Sequence, residues 1–199
     1  MLTLLIAPVA LAGCGGGAAD QGSSASTGSA VQSSTERAEG ATAEDGATAA
    51  PSFPANTDPD TADASSDASV TVRDIRLGRQ DGFDRVVFEV GGTGTPGWDV
   101  RYVDQASSQG SGEAIDVAGD AVLQVSLTGA GYPYDTGVTE YSAAGPLTAS
   151  GTENVTEVVF DATFEGTTEA FVGTKTQAPF RVYLLQNPTR VVLEVADPS

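Results

Sequence analysis

The 199-residue chain contains no histidine, one cysteine (Cys14), one tryptophan, one methionine and only nine lysine or arginine residues. Without histidine the usual general base and the commonest metal ligand are missing, so neither a Ser-His-Asp nor a Cys-His arrangement can be assembled. A lone cysteine excludes an internal disulfide and any cysteine-rich zinc site. Catalysis would have to rest on carboxylates, tyrosines or the single lysine, Lys175; no residue is assigned a catalytic or metal-ligating role, and no cofactor is expected. The scarcity of cations excludes as much. Twenty-seven acidic residues leave a formal net charge of −18 and a pI near 4.1, the reverse of what phosphate neutralisation requires, so nucleic acid is not an expected partner. The deficit runs through both parts of the chain: residues 15–68 carry nine acidic side chains and one basic, Arg37, and residues 69–199 carry eighteen acidic and eight basic.

What is present begins with an apolar stretch, MLTLLIAPVALAGC at 1–14. It is too short for a membrane-spanning helix, which takes about 20 residues, and Pro8 interrupts it. Its length is that of a signal-peptide apolar region without the usual basic residues ahead of it, and a few are expected to precede Met1 in the precursor. Leu11-Ala12-Gly13-Cys14 resembles the lipobox of bacterial lipoproteins. The resemblance implies that residues 1–13 are a lipoprotein signal peptide and that Cys14, the first mature residue, carries the lipid that anchors the chain to the outer face of the cell membrane. The alternative is an ordinary secretory signal cut near Ala10 or Ala12, leaving a free thiol.

From Gly15 to about Asp67 the chain is Gly, Ala, Ser, Thr, Asp and Pro, with Val31 and Phe53 as isolated apolar residues. Such a composition cannot bury enough surface to offset its ordering entropy. Residues 14–68 therefore read as a disordered tether. The alternating carboxylates of Asp58-Pro59-Asp60-Thr61-Ala62-Asp63 do not make an EF-hand loop, because Ala62 stands where an oxygen ligand is needed and Asp63 where glycine is needed.

At Ser69 the texture changes to short β-rich runs separated by Gly, Pro and Asp, the pattern of a sandwich or barrel. Strands are expected near 70–77, 84–91, 98–104, 113–117, 120–127, 154–164, 168–173, 180–186 and 189–196, and no segment sustains a helical period. The fold class is all-β, a single β-sandwich over 69–199 preceded by the tether and signal peptide. Two runs echo each other, DRVVFEV at 84–90 and TRVVLEV at 189–195. Period two places Val86, Phe88, Val90, Val191, Leu193 and Val195 on the core face. If the strands are antiparallel neighbours in matched register, Arg85 opposes Glu194 and Glu89 opposes Arg190; the bland reading of these charges is a solvated face. The echo also raises the idea of two similar sheets built from similar halves.

The run Asp84–Val90, followed by Gly97-Trp98-Asp99-Val100-Arg101-Tyr102-Val103, by Phe164–Gly173, and by Asn187-Pro188-Thr189-Arg190 and the strand after it, resembles the AMIN-like domains of actinobacterial lipoproteins. The resemblance covers nearly all of 70–197. It implies a β-sandwich related to the AMIN domain, a non-catalytic module that localises cell-wall enzymes by binding peptidoglycan, and it carries no catalytic residue over.

Candidate ligand contacts are Trp98, Tyr102, Tyr132 and Tyr134, whose rings could cover the apolar face of a sugar, and Arg101 and Arg181, whose guanidinium forks match a carboxylate. Trp98 and Tyr102 share a face that is equally what a core face looks like, Tyr132 and Tyr134 lie in a long connection over 128–152, and both arginines have cross-strand salt bridges as their plain alternative. Glu157, Asp161, Glu165 and Glu169 recur every four residues, one face of an extended strand, and are the only hint of carboxylate hydrolysis. The leading reading is a tethered, non-catalytic binding module for peptidoglycan or another wall component. The alternatives are an adaptor for an envelope protein, using a sheet edge for strand addition, and, third, a carboxylate-based hydrolase. Mass spectrometry of protein extracted from membranes is expected to show diacylglycerol at Cys14 and no residues before it; an unmodified thiol contradicts the anchor.

Overall fold

The computed structural model describes residues 56–198. The expected signal peptide, the expected lipid attachment at Cys14 and the expected tether up to residue 55 lie outside the described residues. Two antiparallel sheets pack as a sandwich, the fold class expected. The strands are β1 (Asp60–Ala62), β2 (Ser69–Gln80), β3 (Phe83–Thr93), β4 (Gly97–Val103), β5 (Ala121–Thr128), β6 (Val155–Phe164), β7 (Thr167–Thr174), β8 (Phe180–Leu185) and β9 (Arg190–Ala196), with one helical turn, α1 (Pro133–Thr136), between β5 and β6. The four-stranded sheet has the order β2-β3-β9-β8 and the five-stranded sheet β1-β4-β5-β7-β6.

β3 and β9 are antiparallel neighbours in the register expected, with Arg85 opposite Glu194 and Glu89 opposite Arg190. Their inward residues Val86, Phe88, Val90, Val191, Leu193 and Val195 are all buried in the core. They meet Val100, Leu123, Val125, Leu127, Ala170 and Val172 of the opposite sheet in one cluster. The echo lies within one sheet, not in two: it is the matched pair of central strands, flanked by β2 on one side and β8 on the other.

Three expectations are corrected. First, the fold starts earlier than residue 69. β1 pairs with β4, and Asp60 ties the two sheets together by accepting the Trp98 indole N–H at 2.9 Å and the Val182 amide N–H at 3.1 Å. Asn56 accepts the Phe180 amide at 2.9 Å on the edge of β8. Tether-like composition hid this segment because its work is polar.

Second, residues 113–117 are not a strand of either sheet. They double back on their own loop through Ser108 N–H to Glu113 at 2.8 Å and Ile115 N–H to Ala106 at 3.0 Å. The loop 104–120 then crosses the outer face of the five-stranded sheet, where the missing side chain of Gly173 leaves room for Val117 and the Ala118 carbonyl. The apolar alternation here packs on a sheet without lengthening it. Third, the four carboxylates at 157, 161, 165 and 169 do not share a face. Register shifts near Glu157 and between Phe160 and Thr163 break the alternation, and Glu165 sits in the hairpin turn with φ 47°.

The long connection after β5 covers the open side of the sandwich. It bonds the β2 edge through Tyr141 N–H to Val72 at 2.7 Å, and the β6 edge through reciprocal Leu147 and Val158 bonds of 2.8 Å. Asp84, at the start of β3 and fully buried, joins the sheets from within by accepting the amides of Glu153, Asn154 and Val155 at 3.1, 2.7 and 2.8 Å. Asp84→Ala strands two buried N–H groups, those of Asn154 and Val155, and the partly buried one of Glu153, each buried group worth about 1–3 kcal/mol; denaturant unfolding is expected to show a loss of about 3 kcal/mol, with Asp84→Asn losing less.

Candidate functional site

The outward residues of the four-stranded sheet fall into rows across β2, β3, β9 and β8: Asp74–Glu89–Arg190–Leu185, Arg76–Val87–Val192–Tyr183, and Gly78–Arg85–Glu194–Arg181. A bulge between Val72 and Asp74 adds Arg73 to this face. Five arginines thus stand against three carboxylates on one face of a domain whose 69–199 segment is otherwise strongly acidic. Arg73, Arg76 and Arg85 are 46, 49 and 34% exposed.

The charges are organised into two clamps. Glu194, fully buried, takes Arg85 Nε at 2.7 Å and Nη2 at 2.5 Å on Oε1, Arg181 Nε at 2.6 Å and Nη2 at 2.5 Å on Oε2, and the Tyr183 hydroxyl at 2.9 Å. Both guanidiniums lie over the Phe83 ring, 5.5 and 5.6 Å from its centre, a cation–π arrangement that fixes their planes. Burial, and then the bond to Glu194, hold the Tyr183 hydroxyl above the usual phenol range. The second clamp centres on Glu89, which bonds Arg73, and Arg76 Nη2 at 3.0 Å. The bond from Arg73 holds the Glu89 carboxyl below the usual carboxylate range. Arg190, its cross-strand neighbour, turns away to the carbonyls of Pro188 and Gln186. A merely solvated face, the bland expectation, does not describe a fully buried Glu194.

The other candidates scatter. Trp98 and Tyr102 point inward, packed against the core, with the indole N–H given to Asp60 and the Tyr102 hydroxyl to the Ala178 carbonyl at 2.8 Å. Burial raises the Tyr102 pKa, and both rings are partly buried against the core. Arg101 pairs with Asp99, two residues away on its own strand, in an exposed contact. Tyr132 and Tyr134 stack at α1, 5.4 Å apart and 11° from parallel, with Tyr134 81% exposed. Of the six candidates only Arg181 belongs to the clustered face. Arg73, Arg76, Arg85, Glu89, Glu194, Phe83 and Tyr183, the other members of this face, were not among the candidates, although every strand of this sheet carries an arginine at an outward position.

A family model described as the AMIN-like domain matches residues 70–197, well over half the chain. The chain belongs to the AMIN-like domain family. Comparison with curated proteins and with solved structures gives no match. AMIN-like domains are associated with cell-wall and peptidoglycan-binding modules and are generally non-catalytic.

Removing one member of a buried ion cluster leaves an uncompensated charge. Arg181→Ala is therefore expected to lower stability by about 3 kcal/mol in chemical denaturation, whereas Arg101→Ala, which breaks an exposed pair, changes it by no more than about 0.5 kcal/mol.

Proposed function

We propose that this AMIN-like domain is the wall-binding end of a lipid-anchored envelope protein and that the arginine-bearing face of its four-stranded sheet is the contact surface. The observation that carries this reading is the concentration of arginines on one face of an acidic domain. A partner with carboxylates is attracted there and repelled elsewhere, which orients the encounter. Peptidoglycan, through its peptide carboxylates, has that chemistry, and the family's association with the cell envelope agrees with it.

The acidic segment that follows Cys14 would link the lipid anchor to the wall-binding domain. Strand addition by a protein partner is less well supported. The edges of β2, β6 and β8 already bond the chain's own segments at Tyr141, Leu147 and Asn56.

Sedimentation with insoluble cell wall tests the proposal. The protein is expected to be retained at low salt and released as salt rises, because the exposed part of the attraction is screened within about 10 Å. Arg76→Glu, at a half-exposed position, is expected to lower retention at least about fivefold. Retention no better than that of an unrelated β-sandwich contradicts the wall reading, and undiminished retention of Arg76→Glu contradicts the face.

A further inference from the structure

The two clamps leave a notch between them. It is lined by Arg76 of the Glu89 clamp, Arg85 of the Glu194 clamp, Leu77, Gly78, Gln80 and Val87, and holds about 170 Å³. Gly78 is opposite Arg85 in the β2–β3 ladder, and a Cβ built on it would meet nothing within 4 Å. The notch exists because this outward position has no side chain.

Its chemistry is specific. Two guanidiniums and one amide line it, with no carboxylate, and Val87 supplies an apolar wall, the Leu77 side chain being turned to the core. Both arginines are already fixed by anions outside the notch: Arg76 gives Nη1 to Asp74 and Nη2 to Glu89, and Arg85 gives Nε and Nη2 to Glu194. A guanidinium carries five N–H groups, so each side chain keeps donors for a further acceptor. Held side chains lose little freedom on binding, which favours affinity.

Resting on the wall-binding reading and deepening it, we propose that the notch is a subsite for the free carboxyl terminus of a wall peptide ending in a small aliphatic residue. The terminal carboxylate lies between Arg76 and Arg85, the Gln80 amide serves the adjoining peptide group, and a methyl-sized side chain rests on Val87. A volume of about 170 Å³ admits one such residue and rejects a bulky one. A free carboxylate is what separates this ligand from the neutral glycan backbone.

The test titrates the protein with soluble disaccharide-peptide fragments of peptidoglycan in two forms, with a free terminal carboxylate and with the terminus amidated, by calorimetry or NMR. The free acid is expected to bind at least about tenfold tighter than the amide, since charge-assisted contacts are roughly twice as strong as neutral ones. Gly78→Val, which fills the notch where the backbone has room, is expected to reduce free-acid binding to the level of the amide while leaving the melting temperature unchanged or higher. If acid and amide bind alike, or Gly78→Val binds as the parent does while whole wall is still retained, the subsite is wrong and the wall-binding face stands. If neither fragment nor whole wall is retained, the wall-binding reading fails and the subsite with it. Should Gly78→Val unfold the protein, Gly78→Ser with its smaller side chain decides: undiminished acid preference in that folded variant overturns the subsite, and a weakened preference supports it.

Discussion

The register of β3 against β9 is the constraint on which both faces of the four-stranded sheet depend. Side chains alternate with period two, so a slip of one residue would exchange core and surface along the entire strand. In the observed register Val86, Phe88, Leu193 and Val195 enter the core, while Arg85 comes to stand across from Glu194. Glu194 is fully buried outside the hydrophobic core, a position tolerable only because Arg85, Arg181 and Tyr183 all reach it. The hydrophobic term holds the strands together, and the ionic term makes the same pairing the right one by leaving any other register with an unpaired charge.

Around that pair the chain covers its own exposed edges. Residues 56–62 meet the β8 edge at Phe180 and Val182, and the connection after β5 bonds the β2 edge at Val72 and the β6 edge at Val158, which interrupts the unpaired backbone rows that would otherwise template association. The loop 104–120 lies on the outer face of the five-stranded sheet. The outer face of the four-stranded sheet, bordered at Gly91 by Val138, presents side chains instead, five arginines among them. Closure of the sides and concentration of cations on one face together give the molecule a direction.

Much of this was legible in sequence. Eight of the strands and the central pairing follow from alternation, because burial on one face is what alternation records. β1 was hidden because Asp60 acts through polar bonds, which leave no hydrophobic signal. The 113–117 run has real alternation, but alternation does not say whether a segment joins a sheet or lies upon one. Parity placed Trp98 with Tyr102 without telling inside from outside; Asp60 and Ala178, waiting within, settle it. Arg101 and Arg181 look equivalent in sequence, yet one meets Asp99 two residues away and the other a buried glutamate across a strand. The proposed site is a property of four strands in register, and its members are spread over more than a hundred residues of chain.

The most direct measurement of the central claim is the mapping of amide and arginine side-chain NMR shifts while solubilised peptidoglycan is added. Perturbations confined to β2, β3, β8 and β9, with the guanidinium signals of Arg76 and Arg85 moving most, are the predicted result. Perturbations centred on Tyr132 and Tyr134, or on the five-stranded sheet, would contradict it.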